Sequence, residues 1–319
     1  MLRQALLLTA LSQFVWPTLA QEPPREPGAR RAVLVTGASS GIGRKTTEVL
    51  ASNGFFVYAC ARKDKDLQEL GTLANVQAIK LDVTKPAEIE AAVQTVRAAG
   101  RGLYGVINNA GVAVVGPMIE LREEDVLFQF DVNVLGPYRI TKAFAPLLIE
   151  SKGRVATTGS ISGTVSWAMG GAYCMSKHAV EAYTDALALE LQPLGVQVSV
   201  VAPGNYRSEI MTNMRERLVA SGYSGSGSGS RYAQQMERML ERPMDRAEYK
   251  EPDDVAAAFL HAMSDAQPRR RYMVVPNQRE ADLTIKAAIA RVVQLNQAQP
   301  FAHDRDGLIK LLDEALKAK

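Results

Sequence analysis

Histidine and cysteine are nearly missing from this chain: three and two, respectively, in 319 residues. Neither Cys-x-x-Cys nor His-x-x-x-His spacing occurs. A zinc site needs several such ligands brought together, so no metal is expected and no metal ligand is assigned. Cys60 ends an apolar run and Cys174 follows Tyr173; both read as small buried hydrophobes, not as disulfide partners. An excess of one charge is missing as well. The 37 basic and 34 acidic side chains are interspersed and leave a net charge of +3. Without a basic stripe, no nucleic-acid partner is expected. The apolar stretch near the N-terminus, 5–15, is shorter than a bilayer-spanning helix requires.

What is present is the composition of a globular protein, 47% apolar and 22% charged. The length suits one large α/β domain or two small ones. Short β-branched runs at 32–36, 55–60, 76–81, 103–107, 154–158, 196–201 and 272–275 read as strands. Helical spacing fills the gaps at 41–52, 86–99, 123–150, 173–191 and 252–265. Strands alternating with helices call for a parallel sheet covered on both faces. The fold class predicted is α/β, a single doubly wound Rossmann-like domain with a parallel seven-stranded sheet. Right-handed crossovers then gather the carboxyl ends of the strands on one edge, where such folds carry their sites.

Two motifs carry chemistry in their own residues. The first is Thr36-Gly37-Ala38-Ser39-Ser40-Gly41-Ile42-Gly43, between an apolar strand and a helix. Glycines let the backbone approach a pyrophosphate, and a helix N-terminus favours its charge. The alternative is a tight strand-to-helix turn with no ligand. The second is Tyr173-Cys174-Met175-Ser176-Lys177, which puts a phenol and an ammonium on one helix face. A nearby cation favours the phenolate, so this tyrosine can exchange a proton near neutral pH. Against that stands an aromatic ring packed on a lysine stem.

These motifs do not occur alone. Gly37-x-x-x-Gly41-x-Gly43, Asn108-Asn109-Ala110-Gly111, Asn133, Ser160, Tyr173-x-x-x-Lys177 and Pro203-Gly204 follow one another in order. In this the chain resembles the short-chain dehydrogenases/reductases, over roughly 30–275. The resemblance implies a hydride transfer between a nicotinamide cofactor and an alcohol, ketone or aldehyde. It implies a catalytic set of Asn133, Ser160, Tyr173 and Lys177. Ser160 would hold the substrate oxygen, Tyr173 would give or take the proton, and Lys177 would tune the phenol and bond the nicotinamide ribose. Asn133 would hold a relay water.

For the cofactor, the resemblance assigns Gly37, Ser39, Ser40, Gly41, Ile42 and Gly43 to the pyrophosphate loop, and Asp82 and Val83 to adenine. Asn109 and Ala110 would form the wall by the adenine ribose, with Asn109 alternatively bracing the sheet, and Gly111 would also bind the cofactor. Tyr173, Lys177, Pro203, Gly204 and Ser208 would face the nicotinamide. Ser208 stands where the family usually has Thr, which keeps the hydroxyl and loses a methyl contact. The family's acidic residue after the second strand falls at Ala61, and Arg62 follows. A guanidinium there suits a 2′-phosphate, so the cofactor expected is NADP(H) rather than NAD. His178, next to Lys177, reads as structural.

Outside 31–278 and inside 205–249 the reading is coarser. Residues 1–20 have the shape of a signal peptide, and 21–30 that of a polar linker. Cleaved export, a retained membrane anchor and a misassigned start codon all remain open. In the family the 205–249 segment is a substrate lid. Here it carries Ile210, Met211, Met214, Leu218, Met236, Met239 and Leu240 around a Gly/Ser run at 224–230. With Val165, Trp167 and Met169 it suggests an apolar alcohol or carbonyl substrate. Residues 279–319 read as a helical extension. The long helices imply a homodimer or homotetramer, as in the family, and the N-terminus leaves membrane association open. Two other functions fit the fold: a dinucleotide-sensing regulator without turnover, and a membrane-associated scaffold.

Overall fold

A computed structural model describes residues 30–220, 229–241 and 248–317. The signal or anchor segment 1–20, nearly all of the linker, and most of the Gly/Ser run lie outside the described residues.

Seven strands among the described residues form one all-parallel sheet: β1 Ala32–Val35, β2 Phe56–Ala61, β3 Val76–Lys80, β4 Gly105–Asn108, β5 Arg154–Thr158, β6 Gln197–Pro203 and β7 Arg271–Val274. Their order is β3-β2-β1-β4-β5-β6-β7. β1 therefore lies inside the sheet, and all four of its residues are buried. Its alternation divides the core. Ala32 and Leu34 face one apolar layer with Ile140, Phe144 and Leu148. Val33 and Val35 face the other with Leu50, Phe259 and Met263. A strand covered on both sides can be apolar throughout, which is why these strands read as unbroken hydrophobic runs.

The covering helices are α1 Gly41–Ser52, α2 Asp64–Gly71, α3 Pro86–Ala98, α4 Glu123–Phe130, α5 Gly136–Glu150, α6 Gly171–Leu191, α7 Ile210–Ala220, α8 Ala233–Leu240, α9 Asp253–Ser264, α10 Gln278–Asn296 and α11 Arg305–Lys317. The single helix expected over 123–150 is interrupted: a π-helical turn, Asp131–Leu135, separates α4 from α5. Pro137 has no N–H to offer the Asn133 carbonyl, so a regular α-helical ladder cannot run through this point. α2 had no counterpart in the sequence reading. No described helix is long and apolar enough to cross a membrane.

Strand order changes direction between β1 and β4, and in such sheets a crevice opens there above the carboxyl ends. α7 borders it through Ile210 and Asn213, and α8 packs on the apolar cluster beside it. Met214 is buried with Ala113 and Val115, and Tyr173, Ile210, Met211 and Met239 pack around them. The Arg217 guanidinium lies 3.5 Å above the Phe128 ring, and Ser230 donates to Glu120.

Candidate active site

The loop from β1 to α1 is shaped by what it lacks. Gly37 and Gly41 have φ of +63° and +51°, where a side chain is strained. A Cβ at Gly43 would lie 2.1 Å from the Gly37 carbonyl and 2.4 Å from Asn109 Nδ2. The backbone is therefore packed on itself, leaving the groove above it open. α1 starts with no capping side chain and no acidic residue in its first turn. This cradle and the uncapped N-terminus fit a pyrophosphate.

Asn109 ties the strand ends together. Its Nδ2 donates to Thr36 O and Gly37 O, both at 3.1 Å, and its Oδ1 accepts from Thr158 Oγ1 at 3.1 Å. Asn109 thus braces the sheet, and it also lines the cleft. At the outer end, Arg62 Nη1 stands 3.9 Å from the Asp82 carboxylate. Burial works against the charged form of Asp82. Bonds from the Thr84 N–H and hydroxyl, with the charge of Arg62, outweigh it and hold the carboxyl below its ordinary pKa.

At the inner end, α6 presents Tyr173 and Lys177. The Lys177 ammonium is buried, donates to Thr158 O at 2.8 Å, and stands 5.8 Å from the centre of the Tyr173 ring. Burial lowers its pKa to about 8, and Glu181 one turn later opposes the shift. Ser160, buried at the end of β5, accepts the Ser162 N–H at 3.1 Å and so starts the turn that leads back to α6. Asn133 stands behind this group in the π turn. Its amide clamps Val112, accepting from the N–H at 2.8 Å and donating to the carbonyl at 3.0 Å, and it also donates to Ser176 at 3.2 Å.

One cleft is lined by every residue that the sequence reading gave to the cofactor, together with Ser160. Asn133 does not line it. Ser208 lies against the Gly41 loop: its Cβ is 3.2 Å from where a Gly41 Cβ would be. The lining also includes Val112, Val132, Tyr206, Glu209, Ile210 and Asn213, which carried no assignment to the cleft. Of these only Ile210 gave a signal, as an apolar residue of the lid segment. Val165, Trp167 and Met169 do not line the cleft; Trp167 folds over Gly170 instead. His178 Nδ1 lies 2.9 Å from the Cys174 carbonyl, in keeping with a structural role. Both cysteines are buried and free, and burial pushes both thiols up.

The family model described as short chain dehydrogenase matches residues 31–218. The mitochondrial D-beta-hydroxybutyrate dehydrogenase of Rattus norvegicus is 40% identical over 200 residues, covering 60% of this chain and 58% of that protein. The chain thus spans little more than half the length of that relative. Retinol dehydrogenase 5 of Mus musculus is 33% identical over 281 residues, covering 82% of this chain and 86% of that protein. Among solved structures, a short chain dehydrogenase/reductase of Burkholderia phymatum in complex with NAD superimposes with a TM-score of 0.71 at 25% identity, covering 86% of this chain and 97% of that one.

Proposed function

The chain belongs to the short-chain dehydrogenase family, and from that premise we propose that it is an NADP(H)-dependent oxidoreductase acting on an apolar alcohol, ketone or aldehyde. The observation that carries the proposal is the grouping of the Lys177 ammonium, the Tyr173 ring and Ser160 on the wall of the cleft that the glycine cradle opens.

A nicotinamide dinucleotide, when bound, supplies or accepts the hydride. The protein's own residues do the rest. Ser160 Oγ holds the substrate oxygen by a hydrogen bond. The Tyr173 hydroxyl gives that oxygen a proton in reduction and takes one in oxidation. Lys177 sets a positive charge beside the phenol, which favours the phenolate. With the cofactor bound, its ammonium would also bond the nicotinamide ribose. Asn133, packed behind them, positions the 112 segment and holds the relay water.

Arg62 supports NADP(H). It follows Ala61 at the end of β2, where an acidic residue would select NAD, and its guanidinium stands at the mouth of the cleft. The Burkholderia structure was solved with NAD, and titration with both dinucleotides distinguishes the two cofactors. The methionine-rich α7 and α8 favour an apolar substrate and form its lid. Both named relatives are dehydrogenases of hydroxylated compounds, which suits the reaction class. Exposed Leu127 on α4, Leu135 in the π turn, Tyr138 on α5 and Leu189 on α6 offer apolar surface for a homodimer or homotetramer.

The test is a fluorescence titration with NADPH and NADH side by side, followed by a turnover screen with apolar ketones and aldehydes. Tight NADPH-selective binding with turnover is the expected outcome. Binding of neither dinucleotide would reject the enzyme reading, and NADH selectivity would reject the role of Arg62.

A further inference from the structure

The turn after β6 is held from a place far along the chain. Gly204 donates to Val274 O at 2.8 Å, which fixes one side of the turn to β7. The other side meets the start of α10. Asn277 caps that helix, accepting the Glu280 N–H at 3.0 Å. In a capping box the acidic side chain turns back to the backbone N–H of its own cap. Glu280 does otherwise: its Oε2 accepts the Asn205 N–H at 2.8 Å, across 75 residues of sequence, while Oε1 accepts from Asn277 Nδ2 at 3.3 Å.

The same carboxylate packs against Gly204. A Cβ on Gly204 would lie 2.1 Å from Glu280 Oε2, closer than any tolerated contact, with Val275 and Pro276 atoms at 3.0 and 3.1 Å. Gly204 and Pro203 line the cleft, and Glu280 does not. Further along α10, Arg291 reaches the Thr164 carbonyl at 3.3 Å and His178 Nε2 at 3.2 Å. The helix therefore touches both the 203–205 turn and the segment between Ser160 and Tyr173.

We propose that Glu280 is a positioning residue for the cofactor: it fixes the Pro203-Gly204-Asn205 turn that faces the nicotinamide half of the dinucleotide. The proposal rests on the reading that this cleft takes a nicotinamide dinucleotide. A hydrogen bond from a backbone amide to a carboxylate is of the stronger kind, and a free turn must be ordered again on binding.

The test compares the full chain with Glu280→Ala and Glu280→Gln. Each is titrated with whichever of NADPH and NADH the wild type binds more tightly. Each is also titrated with the matching adenine-half fragment, adenosine 2′,5′-bisphosphate or AMP. Glu280→Ala is expected to raise the dinucleotide Kd roughly 10-fold and to leave fragment affinity unchanged. Glu280→Gln keeps an acceptor oxygen in the same place and is expected to restore binding. Wild-type affinity for the dinucleotide in Glu280→Ala would overturn the proposal. So would equal weakening of dinucleotide and fragment, which would mark a general loss of structure. If the wild type itself binds neither dinucleotide, the functional reading fails and this proposal falls with it, a result read without any variant.

Discussion

The Lys177 ammonium donates a 2.8 Å hydrogen bond to the carbonyl of Thr158, pinning α6 to the end of the strand that leads into Ser160. The two segments that carry the proposed proton donor and the proposed substrate-oxygen ligand are thereby fixed to each other before any ligand arrives. The cost is a buried charge. It follows that the pH dependence of stability contains a Lys177 contribution of known sign.

The Lys177 pKa falls from an ordinary 10.5 to about 8 on folding. Between these values the unfolded chain binds the proton and the folded chain does not, so folding gains stability as pH rises from about 8 to 10.5. Below pH 8 both states are charged and the full penalty of burial is present. The span corresponds to about 3 kcal/mol. Relative to Lys177→Met, the wild type is expected to gain up to that amount between pH 7.5 and 10.5. Chemical denaturation at both pH values measures it, and a difference independent of pH would rule the buried ammonium out.

Tyr173→Phe removes the proposed proton donor and keeps the ring that packs beside Met214 and Ile210. Turnover is expected to fall on the order of 10²–10⁴-fold, with dinucleotide affinity nearly intact. Steady-state kinetics and fluorescence titration on the same preparation give both numbers. Full activity in this variant would remove Tyr173 from the mechanism.

Arg62→Ala is expected to weaken NADPH roughly 10–100-fold and to leave NADH unchanged, because only NADPH carries the 2′-phosphate that a guanidinium bonds. Equal loss for both dinucleotides would mean that Arg62 acts only through its contact with Asp82.

Gly43→Ala sets a methyl group against the Gly37 carbonyl, and backbone cannot yield as a flexible side chain can. A loss of about 1–3 kcal/mol of stability is expected, together with loss of dinucleotide binding. Gly71→Ala at the end of α2 is the control, since a Cβ there meets nothing within 4 Å. Thermal melts followed by circular dichroism should show a lower Tm for the first and none for the second.

The sheet was legible because buried parallel strands are short, apolar and β-branched, and every expected strand is present within a few residues of its expected bounds. The glycine turn after β1 was legible for a related reason: its glycines are local, and each has a steric cause. α2 escaped because only Leu67 and Leu70 in its eight residues are apolar, which leaves no stripe to read. The break at Asp131–Leu135 escaped because a π turn has no periodicity of its own; Pro137 was the one available sign. The cleft residues Tyr206, Glu209 and Asn213 escaped because the segment after β6 offers no regular spacing near the turn. The bond between Glu280 and Asn205 is set by tertiary packing, and no local pattern could announce it.

β1 sits between β2 and β4, and its pairing with β4 is extended by the bond from Thr36 N to the Ile107 carbonyl, 71 residues later. During synthesis the first strand emerges long before its second neighbour. At roughly 5–20 residues per second, the ribosome needs on the order of 4–14 s to make that stretch. Through that interval one edge of an apolar strand has no partner, open to association with other nascent chains. Yield of this protein should therefore respond to translation speed and to chaperone supply more than to changes at its surface.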